Sequence, residues 1–430
     1  MNRKKITACL IAAMGVLTVS SSVGQCAELS IDDAVAMAIE RNPEVAITAY
    51  GEKTAKARLK KARAANSFSG SLSANASKTY AKTEGISHES NTFVAPRISL
   101  SLPVYTGGKN EANIESGELG IEIAKLNTLR QYETMRYNVI KAYYDVLEAE
   151  EAVKIQQDEV DKYQKHLTNT EQLFSAGSKA KIDVLRSSVE LTNSQQSLVS
   201  KQSDYSNKLN KLRNYLYMDQ HEPVVLTDKF VYNVFEPTVD DCVSYAMKNR
   251  KDLMVDEYTL KQKELAVKAA KAGYKPTVNL SASTNWDHSV LPDGDNHNVT
   301  VGVSANWNFF DSGVTAGEVE EAEIEVEKAR LTVNKDKNSV ELDLRSNYNS
   351  MREAEKNFSA TKNAVKKAEE EYFIATEKYR AGEGIMLDII DAQTSLSTAR
   401  QNYMTAQYNY ARYKAAVENG MGLDGYELEG

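Results

Sequence analysis

Asp388 and Asp391 stand three residues apart, so a helix at this point presents both carboxylates on one face, one turn beyond Gly382. Asp183 occupies the place matching Asp388 at a distance of 205 residues. Carboxylates in the first turn of a helix are favoured by its positive end, and this alone accounts for Asp183 and Asp388. If several chains surround an axis, however, Asp388 and Asp391 become rings of like charge at the narrowest end. Such rings select ions by charge and resist close approach unless protonated, screened or paired with cations. Little else in the chain has the makings of chemistry. The five histidines, His88, His166, His221, His288 and His297, form no metal-ligand pattern, no Gly-rich phosphate loop follows a strand, and no motif places a Ser/His/Asp set. Neither an enzyme nor a bound metal or cofactor is expected, and a net charge of -8 sets no basic surface aside for nucleic acid.

The carboxylates need a long scaffold. Apolar residues recur every seven positions at Val319, Val326, Val333 and Val340 and, after a four-residue step, at Leu344, Met351, Phe358, Val365, Tyr372 and Tyr379. This is the seam of one long helix packed against others, on the order of 100 Å at about 1.5 Å per residue. The same series, step included, lies 205 residues upstream at Ile114, Ile121, Thr128, Met135, Val139, Val146, Val153, Val160, Leu167 and Phe174, so the chain is an internal duplication. Each long helix ends at a matched turn, Phe174-Ser175-Ala176-Gly177 and Tyr379-Arg380-Ala381-Gly382, where Gly177 and Gly382 take the left-handed terminating conformation. Shorter return helices follow, with seams at Val184, Leu191, Leu198, Tyr205 and Leu212, and at Ile389, Leu396, Tyr403, Tyr410 and Val417.

Ahead of each long helix the period changes to two. Phe68, Gly70, Leu72, Ala74 and Ala76 alternate with serines and Asn75, and Ile98, Leu100, Leu102 and Val104 alternate with Ser99 and Ser101. The second copy is clearer: Val278 to Trp286 oppose Asn279 to Asn285, and Val299 to Phe309 oppose Thr300 to Asn308, about a turn at Pro292-Asp293-Gly294-Asp295. Such hairpins pack by one face on a soluble core or stand in a membrane with a wet lumen, where Trp286, Trp307 and Phe309 meet the lipid interfaces. Four strands cannot close a barrel, so the membrane reading requires several chains.

The expected organisation is a secretory signal at residues 1–27, a first repeat at 28–214, a connector at 215–237, a second repeat at 238–418 and a polar tail at 419–430. The repeats contain hairpins at 68–104 and 276–309, long helices at 107–174 and 312–379, and return helices at 181–214 and 386–418. Arg3, Lys4 and Lys5 precede the apolar run of the signal, which is short for a membrane anchor. Its removal takes the charge from -8 to about -11, because three basic and no acidic residues leave. Lipidation of Cys26 is the alternative at this end, and Gln25 is a poor residue to precede it; Cys242 suits packing. Ser30 with Asp33 marks a capped helix start, and Thr106, with Asp311 or Ser312, are cap candidates for the long helices.

Tyr379-Arg380-Ala381-Gly382, the following Leu387-Asp388-Ile389-Ile390-Asp391-Ala392-Gln393, their weaker copy Phe174 to Gly177 with Ile182-Asp183-Val184, and Leu102-Pro103-Val104-Tyr105-Thr106-Gly107-Gly108 together resemble the TolC family of outer-membrane efflux proteins over about 390 residues. The resemblance implies a mainly α protomer of two repeats with a membrane β-hairpin region, three copies forming a 12-stranded β-barrel continuous with a 12-helix periplasmic α-barrel. It implies an aperture held by Asp388 and Asp391, with Tyr379 and Asp183 in a network between helices and Arg380 near it. The family often has an arginine two residues after the reversal glycine, where this chain has Gly384. Further expectations are a homotrimer in outer-membrane lipid, a periplasmic adaptor docked at the turns of Gly177 and Gly382, and an inner-membrane RND-type or ABC-type transporter supplying the energy. Small toxic compounds or secreted polypeptide would pass through the duct. A periplasmic coiled-coil adaptor or structural protein is the competing reading, but it has no use for two amphipathic hairpins.

Overall fold

The computed structural model describes residues 27–81, 89–290 and 293–423. The expected signal up to residue 26, with Cys9 and Cys26, as well as His88, Pro292 and the tail from 424, lie outside them. Strand β1 (Ala27–Leu29) leads into α1 (Ile31–Arg41) and α2 (Pro43–Ala64), then β2 (Ser69–Ala81), β3 (Glu89–Tyr105), α3 (Lys109–Ser175) and α4 (Lys181–Leu216). After β4 (Val224–Leu226) the order repeats: α5 (Val239–Asn249), α6 (Lys251–Lys271), β5 (Thr277–Val290), β6 (Asp293–Asn306), α7 (Val314–Arg380) and α8 (Met386–Met421). The long helices have 67 residues each and the return helices 36 each, so the duplication is matched residue for residue.

Local chemistry explains the boundaries. Ser30 and Asp33 close a reciprocal capping box on α1, and Thr238 and Asp241 close its copy on α5. Asn42 caps α2 through the Glu44 amide at 2.9 Å. The long helices start differently from expectation: their N-caps are Gly108 and Gly313, at φ 97° and 91°. Thr106 and Asp311 act from one turn earlier, Thr106 accepting from the Asn110 amide at 3.2 Å and Asp311 from the Thr315 amide at 2.9 Å. The far ends stop by the same glycine device in both repeats. The Gly177 amide donates to the Phe174 carbonyl and the Ser178 amide to the Leu173 carbonyl, and Gly382 and Glu383 bond Tyr379 and Lys378 in the same way.

The hairpins join edge to edge into one antiparallel sheet in the order β2-β3-β5-β6. Its register lines up whole rows of like character. Leu72, Ile98, Thr284 and Val299 form one row, and Gly70, Leu100, Ala282 and Val301 the next of that face. The alternate rows run Ser71, Ser99, Ser283, Thr300 and Ser73, Arg97, Asn285, Asn298. The apolar face is bare, with Val299, Val301 and Val303 each about two-thirds exposed. Within the described residues, the outer edges of β2 and β6 have no partner strand.

The helices form a wall in register with the sheet. In the half nearer the sheet α3 lies between α2 and α6, and α6 lies between α3 and α7; in the other half α3 packs on α4 and α8, and α8 on α7. Two belts of core meet midway. Met135, Val139, Tyr143 and Val146 of α3 bury against α1, α4 and the short β1–β4 pair, while Leu344 and Met351 of α7 bury against α5 and Val417 of α8. Cys242 is fully buried in the second belt, where burial pushes its thiol pKa up, in keeping with packing. The parallel β1–β4 pair was not legible in the sequence, being three residues per strand.

Candidate functional site

The reversal end is built from four helix termini. Met386 and Ile389 of α8 bury against Tyr379 of α7, with Leu173 of α3 packed on them. This apolar plug fixes the opposite face of α8, and Asp388 and Asp391 both stand exposed on it. Asp388 accepts a long cap bond, 3.3 Å, from the Ile385 amide, as a first-turn carboxylate should. Among the described residues no cation pairs with either carboxylate.

Tyr379 is buried at 6% exposure between the repeats. The Lys179 ammonium of the other reversal lies 4.1 Å from its ring centre. Burial raises its hydroxyl pKa, the neighbouring Thr170 hydroxyl opposes this, and the Asp183 carboxylate adds to it. Arg380 turns elsewhere: it pairs with Glu377 at 2.7 Å, one turn back on its own helix. Gly384 explains part of the compactness here. A Cβ on it would stand 3.1 Å from the Tyr379 nitrogen and 3.2 Å from the Lys378 Cβ, so a side chain at this point needs the reversal to shift by a few tenths of an ångström. Gly177 and Gly382, at φ 75° and 80°, have no neighbour within 4 Å of where a Cβ would stand.

One residue of this region escaped the sequence reading. His166, 9% exposed, meets the Tyr372 hydroxyl at 2.9 Å and ties α3 to α7 just above the reversals. Its neighbours in a groove of about 720 Å³ include Lys162, Lys165 and Arg380, and the lining has no carboxylate. Burial first, then the Arg380 and Lys162 cations, hold the imidazole below its ordinary range. The bond joins residues 206 apart, and a histidine beside the Leu167 seam position was the only local sign. Because the folded-state pKa is depressed, the unfolded chain takes up its proton first. The contribution of His166 is present above pH of about 6.5 and is lost as pH falls below it. A His166→Gln variant, which keeps a hydrogen-bonding group but does not titrate, is expected to show a smaller drop in melting temperature between neutral pH and pH about 5 than the parent. An equal drop in both proteins assigns the acid sensitivity to other groups.

At the sheet end, Trp286 stacks on His297 at 5.1 Å, and the Trp307 indole donates to the Tyr274 carbonyl at 3.1 Å. Phe309 is 82% exposed. From the Trp286–His297 row to Trp307, one residue past the end of β6, is ten residues, or roughly 33 Å if extended throughout. Tilted by about 45°, this spans roughly 24 Å, the height of a bilayer's apolar band. Arg97, bonded to Ser283 at 3.3 Å, is a cation on the Ser/Asn face that the alternation pattern passed over. No helix among the described residues is long and apolar enough to cross a membrane.

Comparison with known proteins adds three findings. Residues 34–216 and 242–423 each match the family described as outer membrane efflux protein, so the family unit occurs twice, once per repeat. The outer membrane protein TolC of Escherichia coli is 22% identical over 340 residues, covering 76% of this chain and 68% of that one. Two solved structures share the fold: the Campylobacter jejuni CmeC outer membrane channel, at a TM-score of 0.82 and 14% identity over 91% of this chain and 85% of that one, and VceC of Vibrio cholerae, at 0.78 and 17% over 91% and 96%.

Proposed function

Since the chain belongs to the outer membrane efflux protein family, and is thus an outer-membrane channel with a long helical periplasmic extension rather than an enzyme, we propose that three copies assemble into one duct. The observation that carries this is the four-stranded sheet with two free edges, an apolar face and a Ser/Asn face. Left as a monomer it exposes both unpaired edges and a broad apolar surface, which soluble proteins avoid. Three copies joined edge to edge give 12 strands, with lipid outside, water inside, and Trp286, Trp307 and Phe309 at the two interfaces.

The helical wall then continues the barrel into the periplasm and ends at the reversals. There Asp388 and Asp391 form the charged rings of the entrance, Tyr379 and Asp183 hold neighbouring helices together, and Arg380 lies on the groove beside them. The open space about Gly177 and Gly382 suits docking by a periplasmic adaptor, which couples the duct to an inner-membrane transporter of RND or ABC type. The duct is passive, and the cargo is small toxic compounds or secreted polypeptide. Protein extracted from outer membranes in detergent is expected to have three times the mass of one chain and to form discrete conducting events in planar bilayers. A monomer without conductance overturns the proposal.

A further inference from the structure

The chain contains, inside one copy, a template for the seam between copies. At the half nearer the sheet α3 meets α6: the Gln262 side chain donates to the Ser116 carbonyl at 2.7 Å, and Arg130 lies 3.6 Å from Asp252. The repeat carries α3 onto α7 at an offset of 205 and α6 back onto α2 at 208. Applied to this seam, it sets Glu321 opposite Thr54, and Lys335 opposite Glu44, of a second copy. Arg130 and Asp252 thus become Lys335 and Glu44, a different pair of residues with the same pair of charges.

We propose that neighbouring copies join with α7 of one on α2 of the next in the register of the α3–α6 seam, closed by an ion pair between Lys335 and Glu44. This rests on the assembly argued above. The free faces suit it: Lys335 is 75% exposed and meets the adjacent Asp336 at 3.2 Å, and Glu44 stands exposed in the first turn of α2, paired with no cation among the described residues. Nearer the sheet the charges also complement one another. In this register the acidic run of α7 that holds Glu318, Glu320 and Glu321 comes level with the part of α2 that holds Lys53, Lys60 and Lys61. At the sheet end the seam is slightly wider than its template, since Ser312 stands where the internal seam requires Gly107.

Farther from the sheet the template is not copied. Inside one copy Arg400 of α8 bonds Asp158, and Arg412 bonds Asp145 and Glu148 of α3. The repeat turns Arg400 and Asp158 into Gln195 and Asn363, and sets Asn207 in place of Arg412 against Ser350 and Glu353. None of these transferred positions pairs opposite charges. The one ion pair of the internal seam that recurs between copies therefore lies in the half nearer the sheet, and the seam is held least where the aperture lies.

The test uses full-length protein extracted from outer membranes. Lys335→Glu and Glu44→Lys are each expected to raise the dissociated fraction roughly two- to fivefold, as an exposed ion pair does, and the double reversal is expected to restore it. A Lys335→Cys/Glu44→Cys protein treated with a short bis-maleimide should run as covalent multimers, with neither single variant doing so. Multimers that survive in the parent while the double reversal fails to restore and the cysteines do not cross-link overturn the register but leave the assembly standing. A parent that is monomeric overturns both.

Discussion

Replacing Asp388 and Asp391 together by Ala is expected to raise single-channel conductance and to weaken block by divalent cations about tenfold or more. A divalent ion roughly 4 Å from one carboxylate gains about 2 kcal/mol even in water, and a ring supplies several carboxylates at once. Both side chains are exposed, opposite the buried Met386, Ile389, Ala392 and Leu396, so their removal leaves the plug intact. What is lost from the fold is the first-turn charge of α8, about 0.3–1 kcal/mol. Asn at both positions separates the effects, since it keeps a capping oxygen at 388 and removes the charge. Equal conductance and block in parent, Ala and Asn proteins would reduce the two carboxylates to helix starters.

The second large effect is expected at the opposite end of α3, from Gly107→Ala. The backbone there has φ 71°, and a Cβ would stand 2.8 Å from the Ala272 carbonyl oxygen and 3.1 Å from the Ala272 Cβ. Left-handed backbone costs about 1–2 kcal/mol in a residue with a side chain, and forcing a methyl into packed backbone costs about 1–3 kcal/mol more. Gly108 is the control within the same turn: at φ 97° it has nothing within 4 Å, so Gly108→Ala carries the strain alone. Ser312 shows that the strain by itself is bearable, for it holds φ 55° with a side chain in the equivalent place of the second repeat. The melting temperature and the yield of assembled protein should fall much further for Gly107→Ala than for Gly108→Ala. Equal falls in the two would mean that the junction of α3 with the end of α6 yields.

The long helices, their reversals and the hairpins were legible because each rests on a period sustained over many residues. Val340, Leu344, Met351 and Tyr379 are buried as the seam requires, and the Ser and Val rows of the sheet fall on opposite faces. Features set by one backbone angle or one distant contact were not legible. Thr106 and Asp311 were readable as capping residues, but that the chain turns once more through Gly108 and Gly313 depends on φ, which leaves no periodic trace. His166 and Tyr372 carry no mutual signal across the 206 residues between them. At the reversals the exposed positions of Asp388 and Asp391 follow from helical spacing, whereas the turn of Arg380 toward Glu377 depends on a rotamer.

The short β1–β4 pair has a consequence for the order in which the molecule is completed. Tyr143 donates its hydroxyl to the Leu29 carbonyl and accepts from the Asp228 amide, and the Asp228 carboxylate accepts from the Ile31 amide, 197 residues away. The entropy of closing so long a loop grows only as the logarithm of its length, but the partner must first exist. β1 and α1 precede their strand partner in the chain by the whole first repeat, so they wait without it until the connector has followed. Helix pairs such as α3 and α4, joined by a tight reversal, have no such wait. The early elements of the first repeat are thus among the last to be locked, and their locking records that a complete first repeat is in place.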